Sequence, residues 1–597
     1  EALSLHAVPA MALGLAILIV LDGVVAVVRG GSKPWRVTWA WLCRRESWLA
    51  GGMRLALLGS VLVLFYQVER WRGRRAWTSV VRELAERGES TRVSAPLPEA
   101  SLREGNVAEL EVFAPLWRVL TNRSDLVGEG STEDLGALSA VVRWDLTRHL
   151  SGPSLRRPRL APWVTGDGTD FRAWLATWPS LVTANPQVRV RLDRERGVRL
   201  KSEPGFGRDE SPRARAARGE LGQVEMAALV LELLNEMEPV LAPLREAGSR
   251  TECFFPLDYG RQMWRDNPAL PVLNGLVTLF RVRASALLVL DRPDEAWSEI
   301  DVMLRVVDYA RQQPWAVRGT QRLWVVLEAL QPIYEGVRDH RWTADQLTSM
   351  QSRLEALDLL ADYAASVRND AVAMADNLES FIPADPGPGR VPLFARSEEE
   401  EKDRWLRWVS ALYPRGWSLQ DQAAFHRYYL DVTSAAIDLR ERVLRRHGPV
   451  TPGLLWRGSS DPLFALFLAP KARQMFEDAH QLYPAAQTAV DLAAVACAME
   501  RHRLTRGVYP TSLNDLIPQF LARLPRDVVE GGALRLSPSP EGVTLYSVGW
   551  DGDDDGGQWV ERGEDGFPDF RNGDWVWGWG RPDEPPVQPP TGRANQR

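Results

Sequence analysis

The chain has 597 residues, of which 45% are hydrophobic and 25% charged, and its net charge is −6. This length allows several domains, and the charge balance argues against a nucleic-acid partner, which would favour a basic face. The three cysteines, Cys43, Cys253 and Cys497, are too few and too scattered for a disulfide framework or a zinc cluster. A single Cys253–Cys497 bridge remains an open alternative.

Two apolar segments near the start predict a transmembrane hairpin within residues 1–68. Residues 7–28 are apolar except for Asp22, and residues 49–66 are apolar except for Arg54. Each is long enough to cross a bilayer core of about 30 Å as a helix. The first segment lacks the basic start and the cleavage site of a signal peptide, so we expect two membrane helices.

The loop between the two segments is basic and rich in tryptophan. Its charged residues are Arg29, Lys33, Arg36, Arg44, Arg45 and Glu46, and its indoles are Trp35, Trp39, Trp41 and Trp48. The positive-inside rule therefore places this loop in the cytoplasm, with the large domain beyond the inner (cytoplasmic) membrane, in the periplasm. The arginines that follow the second segment favour the opposite orientation: Arg70, Arg72, Arg74 and Arg75.

Each membrane segment contains one charge, and the two charges are opposite. Asp22 and Arg54 lie at matched distances from the connecting loop, so both sit roughly 10 Å deep from the same side. We expect them to pair and to fasten the two helices together. The alternative is that each side chain reaches separately to the nearby interface.

The body of the chain divides by pattern into a mixed, loop-rich region (69–215) and a helical region (216–483). Residues 221–244 form one amphipathic run, and residues 273–312 predict two helices joined by a turn at Asp291-Arg-Pro293. Small residues allow this pair to pack as a tetratricopeptide-type unit; an irregular bundle is the alternative. Further helices are predicted at 319–338, 343–380, 417–446 and 471–507, and the acidic run within 383–401 predicts a solvated loop.

Residues 484–580 predict an α+β module, and residues 581–597 a disordered tail. A helix at 485–507 precedes a short helix with Thr511 as N-cap. Strands are expected at 533–537 and 541–549, and the second leads into an acidic loop. The expected fold is mainly α, with this small α+β module at its C-terminal end.

Within this module, YPTSLNDLIPQFLARLPRD and LYSVGWDGDDDGG resemble the C-terminal globular part of the type II secretion major pseudopilins. The resemblance implies a calcium-binding loop with Asp551, Asp553 and Asp555 as ligands. In pseudopilins an apolar helix leads directly into the globular part, whereas here the apolar segments lie far upstream. We therefore expect a borrowed module and not a filament subunit.

The chain as a whole also resembles an uncharacterised family of bacterial membrane-anchored proteins. The residues that carry this likeness are VERWRGRRAW (68–77), ELAERGE (83–89), GNVAELEVFAPL (105–116), YPRGWSLQDQ (413–422) and LYSVGWDGDDDGG with GDWVW. The resemblance implies a membrane-anchored architecture and assigns no activity.

The acidic loop is the main candidate binding site. Asp551, Asp553 and Asp555, with Gly556, match positions 1, 3, 5 and 6 of a helix-flanked calcium loop. Position 12 is Arg562, which excludes a true EF-hand. The alternative is a solvated acidic turn that follows the strand and binds no metal. Other acidic residues that could complete a calcium shell are Glu561, Glu564, Asp565 and Asp569.

Outside the acidic loop, the aromatic residues and the histidines do not indicate a catalytic or metal site. Trp575, Trp577 and Trp579 alternate as on one strand face, and we expect them to close a small core, a sugar or partner surface being the alternative. The histidines are dispersed without metal-ligand spacing and are expected to be surface or satisfied core residues: His6, His149, His340, His426, His447, His480 and His502. We identify no catalytic residue.

These patterns predict a membrane-anchored, extracytoplasmic interaction or scaffold protein with a protein partner and a C-terminal module stabilised by calcium. Two alternatives stay open. One is a component associated with a secretion or pilus-like apparatus, and the other is an envelope hydrolase whose site arises from distant residues.

Overall fold

The computed structural model describes residues 45–89, 105–113, 163, 166–175, 221–235, 237–255, 269–312, 316–380, 413–446, 469–539, 542–562 and 567–578. Helices dominate this part of the chain, and most of the strands lie near its C-terminal end. The predicted mainly α architecture with small C-terminal sheets is confirmed at this level. The first apolar segment, the basic loop, Asp22 and Cys43 lie outside the described residues, and so does the tail.

The helices are α1 (Arg45–Glu86), α2 (Gln223–Asn235), α3 (Glu238–Glu246), α4 (Ala269–Val289), α5 (Pro293–Arg311), α6 (Ala316–Arg338), α7 (Ala344–Glu355), α8 (Leu359–Ser380), α9 (Arg415–Tyr428) and α10 (Ala469–Arg506). The strands are β1 (Ile437–Asp438), β2 (Val443–Leu444), β3 (Arg535–Ser539), β4 (Gly542–Ser547), β5 (Trp559–Arg562), β6 (Phe567–Gly573) and β7 (Trp575–Gly578).

Helix α1 runs without a break for 42 residues, about 63 Å at 1.5 Å per residue. The predicted membrane segment 49–66 lies within this helix, which continues for 20 residues beyond it. After residue 66 the side chains change from mainly apolar to largely arginine, and arginine is a good helix former. The character of the helix surface therefore changes there, while the helical conformation continues. The helix stops at Gly88, whose φ of +71° allows the amide of Glu89 to donate to the carbonyl of Leu84 at 2.8 Å.

The described residues belong to two compact units, and the first contains α1, the end of α8 and α9. Within it, α1 crosses α9 where Gly73 faces Gly416, and a Cβ on either glycine would collide with the opposite backbone. Glu69 is 4% exposed at this crossing. Its carboxylate accepts hydrogen bonds from Arg72 at 2.9 Å, from the Trp417 indole at 3.0 Å and from Gln420 at 2.8 Å.

The second unit contains α2 to α7, most of α8, the strands and nearly all of α10. The predicted helix pair is confirmed as α4 and α5, and two of its small residues, Ala286 and Ala296, are completely buried. Two predicted helices are each split in two. Pro239 in the first turn of α3 divides the run 221–244, and Asp358, which accepts from the Ala361 amide at 2.9 Å, caps the start of α8.

The predicted helix 417–446 is wrong in its second half. After α9 the backbone makes a π-helical stretch at Tyr429–Ser434, and then the β1–β2 hairpin. The Asp438 side chain accepts from the amides of Arg440 and Glu441 at 3.2 and 3.1 Å and so stabilises the turn.

The C-terminal part follows the predicted order with changes in detail. The predicted boundary between residues 483 and 484 falls inside α10. The short helix is a 3-10 turn at Leu513–Leu516, and its N-cap is Ser512 instead of Thr511. Strand β4 pairs with β3 and β7 in an antiparallel sheet, and β5 pairs with β6 in a second sheet that the sequence did not predict.

Buried polar contacts attach this C-terminal part to the helical body of the same unit. The Leu359 amide donates to Gln487 at 2.7 Å, and Gln351 donates to the Phe520 carbonyl at 2.8 Å. Neither Cys253 nor Cys497 is in a disulfide bond, and both are completely buried, so the open alternative of a bridge between them is wrong.

Candidate functional site

The acidic loop connects β4 to β5, and its aspartates accept hydrogen bonds from backbone amides. Asp551 uses both carboxylate oxygens: Oδ1 accepts from the Asp553 amide at 3.2 Å, and Oδ2 accepts from the Gly573 amide at 2.6 Å. Glycines at 552 and 556, with φ of +76° and +72°, allow the sharp turns between these bonds. Asp551 therefore fastens the loop to the strand that follows it.

Asp554, which was not among the predicted ligands, has partners on both of its oxygens. Its Oδ1 accepts from the Tyr546 hydroxyl and from the Gly556 amide, both at 3.1 Å. Its Oδ2 lies 3.4 Å from the Arg535 guanidinium. Part of the negative charge of the loop is thus balanced within the protein.

Asp574 supports the loop from the start of β7 and is 2% exposed. Its Oδ2 accepts from the amides of Gly557 at 2.6 Å and Gln558 at 3.3 Å. Burial raises the pKa of Asp574, and the amides that donate to it, including that of Asp555, oppose the rise. Sequence analysis missed this residue because it lies well beyond the aspartate run.

The three predicted ligands do not act as one group in this structure. Asp551 has both oxygens engaged by backbone amides, whereas Asp553 and Asp555 are exposed. Within the described ranges, no group of three or more His, Cys, Asp or Glu side chains is arranged to hold a metal ion. Asp569 accepts from the Arg571 amide and the Asn572 side chain within β6, and Glu564 and Asp565 lie outside the described residues. Calcium binding stays a prediction.

The tryptophans of β7 pack into the core of the second unit. Trp575 is 7% exposed and Trp577 is completely buried. The ring of Trp577 lies 5.2 Å from that of Trp163 and 5.5 Å from that of Tyr334, both measured between centroids. The packing interpretation is confirmed for Trp575 and Trp577, while Trp579 lies outside the described residues.

A buried cluster around Glu500 joins α10 to the end of α6. The Glu500 carboxylate is completely buried and accepts from His340 Nδ1 at 3.0 Å and from the Tyr509 hydroxyl at 2.6 Å. Arg503 donates to both of its oxygens, at 2.9 and 2.6 Å. Burial alone would raise the pKa of Glu500, but these hydrogen bonds and the neighbouring charges lower it.

The Glu500 cluster contains a histidine whose ring is oriented by a buried carboxylate. A carboxylate on Nδ1 fixes the imidazole and leaves Nε2 as its lone-pair nitrogen when the ring is neutral. The nearby thiol of Cys497 is buried, and burial raises its pKa to about 12. The cluster therefore serves to hold α6, α10 and the Tyr509 segment together.

Two other histidines are satisfied core residues, as predicted. His480 contacts the Tyr363 hydroxyl at 3.1 Å and the Arg445 carbonyl at 3.3 Å, and His502 Nδ1 lies 2.8 Å from the Val508 carbonyl. His426 is 1% exposed, its ring stands beside Trp77, and burial lowers its pKa to about 4. It is thus neutral at physiological pH.

A small cavity of about 20 Å³ adjoins the floor of the acidic loop. Its walls come from α6, from α10, from β5 to β7 and from the segment around Trp163. Most of them are apolar, and Asp574 and Asp569 are the charged residues among them: Trp163, Leu327, Ala485, Ala489, Leu492, Trp559, Val560, Asp569, Phe570, Asp574, Trp575 and Val576.

Comparison with family models, with curated proteins and with solved structures found no match to this chain.

Proposed function

We propose that the protein is a membrane-anchored interaction or scaffold protein whose helical body lies outside the cytoplasm. The observation that carries this proposal is the apolar surface of α1. Met53, Leu57 and Leu64 are 74%, 67% and 63% exposed. Monomeric soluble proteins rarely expose apolar surface of this extent, and a lipid bilayer is the environment that a helix of this composition matches.

The two ends of α1 differ, which supports an anchor that continues into a folded body. The candidate membrane span begins at Gly51, and its most apolar window is 0% buried. Two turns before the helix ends, Val80 and Leu84 are 0% and 1% exposed. The crossing at Gly73 and Gly416 lies between these regions, so the helix leaves the apolar stretch and enters protein packing within a few turns.

The orientation of the anchor follows from the basic loop before α1, which the positive-inside rule assigns to the cytoplasm. A body on the other side of the membrane meets partners and ions of the periplasm. Two further proposals concern this extracytoplasmic body. In it, α4 and α5 act as a tetratricopeptide-like docking unit, and the C-terminal part is a pseudopilin-like module.

Calcium at the acidic loop belongs to the same proposal. Asp553 and Asp555 are exposed carboxylates two residues apart, and the hydrogen bonds of Asp551 and Asp554 hold the loop between them in shape. We expect calcium to raise the melting temperature of the full chain relative to chelator, and Asp553→Asn with Asp555→Asn to abolish the rise. Asp345→Asn, an exposed carboxylate in α7, is the matched control. Equal melting in calcium and chelator would refute this part.

The anchor itself is tested by membrane extraction. Full-length protein should stay in the membrane pellet after alkaline carbonate and dissolve only in detergent. Leu57→Arg with Leu64→Arg should shift it toward the carbonate supernatant, because each arginine at the helix centre costs about 2.5–3.5 kcal/mol of insertion. Arg75→Leu, on the same helix beyond the apolar stretch, is the control and should stay in the pellet. Release of the wild-type protein by carbonate would contradict the proposal.

A further inference from the structure

Three exposed arginines follow the apolar stretch of α1. The last exposed aliphatic side chain of that stretch is Val68, which is 43% exposed. Arg70, Arg74 and Arg75 come next and are exposed. At 1.5 Å per residue they lie about 3 to 11 Å beyond Val68 along the helix axis. The headgroup layer on each side of a bilayer is roughly 5–8 Å thick, so Arg70 lies within it and the other two lie just beyond it.

The three arginines share one side of α1. With 3.6 residues per turn, they cover an arc of about 140°. Glu69 and Gly73 are buried on the opposite side, where Glu69 accepts from Trp417 of α9. The packing of α1 against α9 therefore leaves the arginines uncovered.

The positive charges on this side have no acidic neighbour to balance them. From residue 67 to residue 82 the sequence contains one acid, Glu69. Its carboxylate is buried and accepts from Arg72 at 2.9 Å. Within the described residues, no ion pair involves Arg70, Arg74 or Arg75. This part of the chain therefore offers three uncompensated guanidinium groups.

The side chains on this part of α1 are directed toward the membrane end of the helix. Helical side chains tilt toward the N-terminus, and in α1 the apolar stretch lies on that side. The Arg75 guanidinium carbon lies 5.5 Å from the ring centroid of Trp71, one turn closer to the apolar stretch. Trp71 is 60% exposed, and tryptophan is enriched at membrane–water interfaces. Arg75 thus reaches back toward the headgroups.

The chemistry of the guanidinium group selects the lipid. Guanidinium binds phosphate oxygens through paired hydrogen bonds and keeps its charge. A choline headgroup adds a cation that arginine repels, whereas the glycerol headgroup of phosphatidylglycerol does not. Basic residues next to a membrane helix attract anionic lipid, by about fivefold for each residue.

We propose that Arg70, Arg74, Arg75 and Trp71 form a binding site for the headgroups of anionic phospholipids. The site surrounds the helix where it leaves the bilayer. This inference rests on the proposed membrane anchor in α1, but it holds for either orientation of the body.

The test is photocrosslinking from within the site. Full-length protein with p-benzoylphenylalanine in place of Gln67, which is exposed on the same side of α1, is reconstituted in vesicles. The vesicles contain equal amounts of dioleoyl phosphatidylglycerol and dioleoyl phosphatidylcholine. After illumination, mass spectrometry should find at least fivefold more adduct with phosphatidylglycerol. This local readout excludes lipids that bind elsewhere, for example at the basic loop before α1.

The triple variant Arg70→Gln, Arg74→Gln and Arg75→Gln should bring the adduct ratio close to one. Arg82→Gln is the matched control: it is exposed on the same helix about 21 Å beyond Val68 and should keep the wild-type ratio. Equal adducts in the wild-type background, or a full preference in the triple variant, would overturn the proposal. Alkaline carbonate extraction of the same vesicles tests the anchor separately, because release of the protein would contradict the proposed function itself.

Discussion

Helices α1 and α10 are both long and apolar enough to cross a membrane, yet they occupy opposite environments. Their most apolar windows have mean hydropathies of 1.5 and 1.2, but the window in α1 is 0% buried and that in α10 is 89% buried. Helix α10 is rich in alanine, and Ala486, Ala493 and Ala496 let neighbouring elements approach closely. Composition alone therefore does not decide between a membrane anchor and a core helix.

The two helices also differ in where their charged residues lie and in how these residues are paired. The apolar part of α1 is followed by arginines, with Glu69 alone buried among them. Helix α10 instead buries Asp491 and Glu500 within its packed length. Asp491 accepts from Gln487 in the preceding turn, and Glu500 accepts from Arg503 in the following turn and from His340 of another segment. A core helix can bury such groups because protein supplies their hydrogen bonds, which lipid does not.

Matched arginine substitutions in α1 and α10 should show the largest effect and test most directly whether the two helices differ in environment. Leu492→Arg places a charge at a position that is 1% exposed in α10 and should strongly destabilise the second unit, because an unpaired buried charge costs several kcal/mol, a large share of the roughly 5–15 kcal/mol that stabilises a domain. Leu57→Arg in α1 should leave the circular dichroism of the detergent-solubilised protein unchanged. Equal unfolding by both variants would contradict the different environments assigned here.

Gly73→Ala should destabilise the first unit by about 3 kcal/mol, because its methyl group collides with the backbone of Gly416 and a backbone cannot move aside as a side chain can. The measurement is thermal unfolding in detergent. Gly59→Ala is the control in the same helix, since a Cβ there meets nothing within 4 Å. If both variants melt alike, the close crossing of α1 and α9 is wrong.

Glu500→Gln should destabilise the second unit by about 2–3 kcal/mol at neutral pH, since it removes the charged acceptor for Arg503 and His340. Because its folded pKa is lowered, the carboxylate stabilises above its unfolded pKa, and that stability is lost as pH falls. The difference from wild type should thus shrink in acid, as measured by urea unfolding. Glu295→Gln, from an exposed pair with Arg292, should change stability by less than about 1 kcal/mol.

Asp491 should give the smallest effect, with the opposite pH dependence. Burial raises its pKa to about 7, and the nearby Arg442 only partly opposes this. The folded state therefore keeps a proton that the unfolded state releases, and stability falls as pH rises from about 4 through 7. Asp491→Asn should remove on the order of 2 kcal/mol of this decline, whereas Glu232→Gln, exposed in α2, should not. An unchanged pH profile in Asp491→Asn would refute the assignment.

Local signals in the sequence predicted most helices, and non-local contacts explain what it missed. The α4–α5 turn was predictable because Asp291 and Pro293 mark it directly. The β1–β2 hairpin was not, since its turn contains neither glycine nor proline and instead places Arg442 at a φ of +55°. The aspartate spacing located the acidic loop correctly, but the partner of Asp551 lies 22 residues away, at Gly573.

The Glu500 cluster shows the same limit more strongly. Its bond to His340 joins residues 160 positions apart, so no local pattern could reveal it. The available signal was a single acid near the end of an otherwise apolar helix face. Such a residue is a candidate for a buried partner elsewhere in the chain.

The side of the membrane on which the body lies is tested most directly by sided cysteine labelling. Cys43, in the predicted cytoplasmic loop, is first replaced by serine in both variants. The native Cys253 and Cys497 are buried, and burial raises both thiol pKa values to about 12, so they should stay unreactive in the folded protein. Asp553→Cys, exposed on the acidic loop, should react with a membrane-impermeant maleimide in intact spheroplasts. Ser32→Cys, in the predicted cytoplasmic loop, should react only after permeabilisation. The reverse pattern would contradict the account.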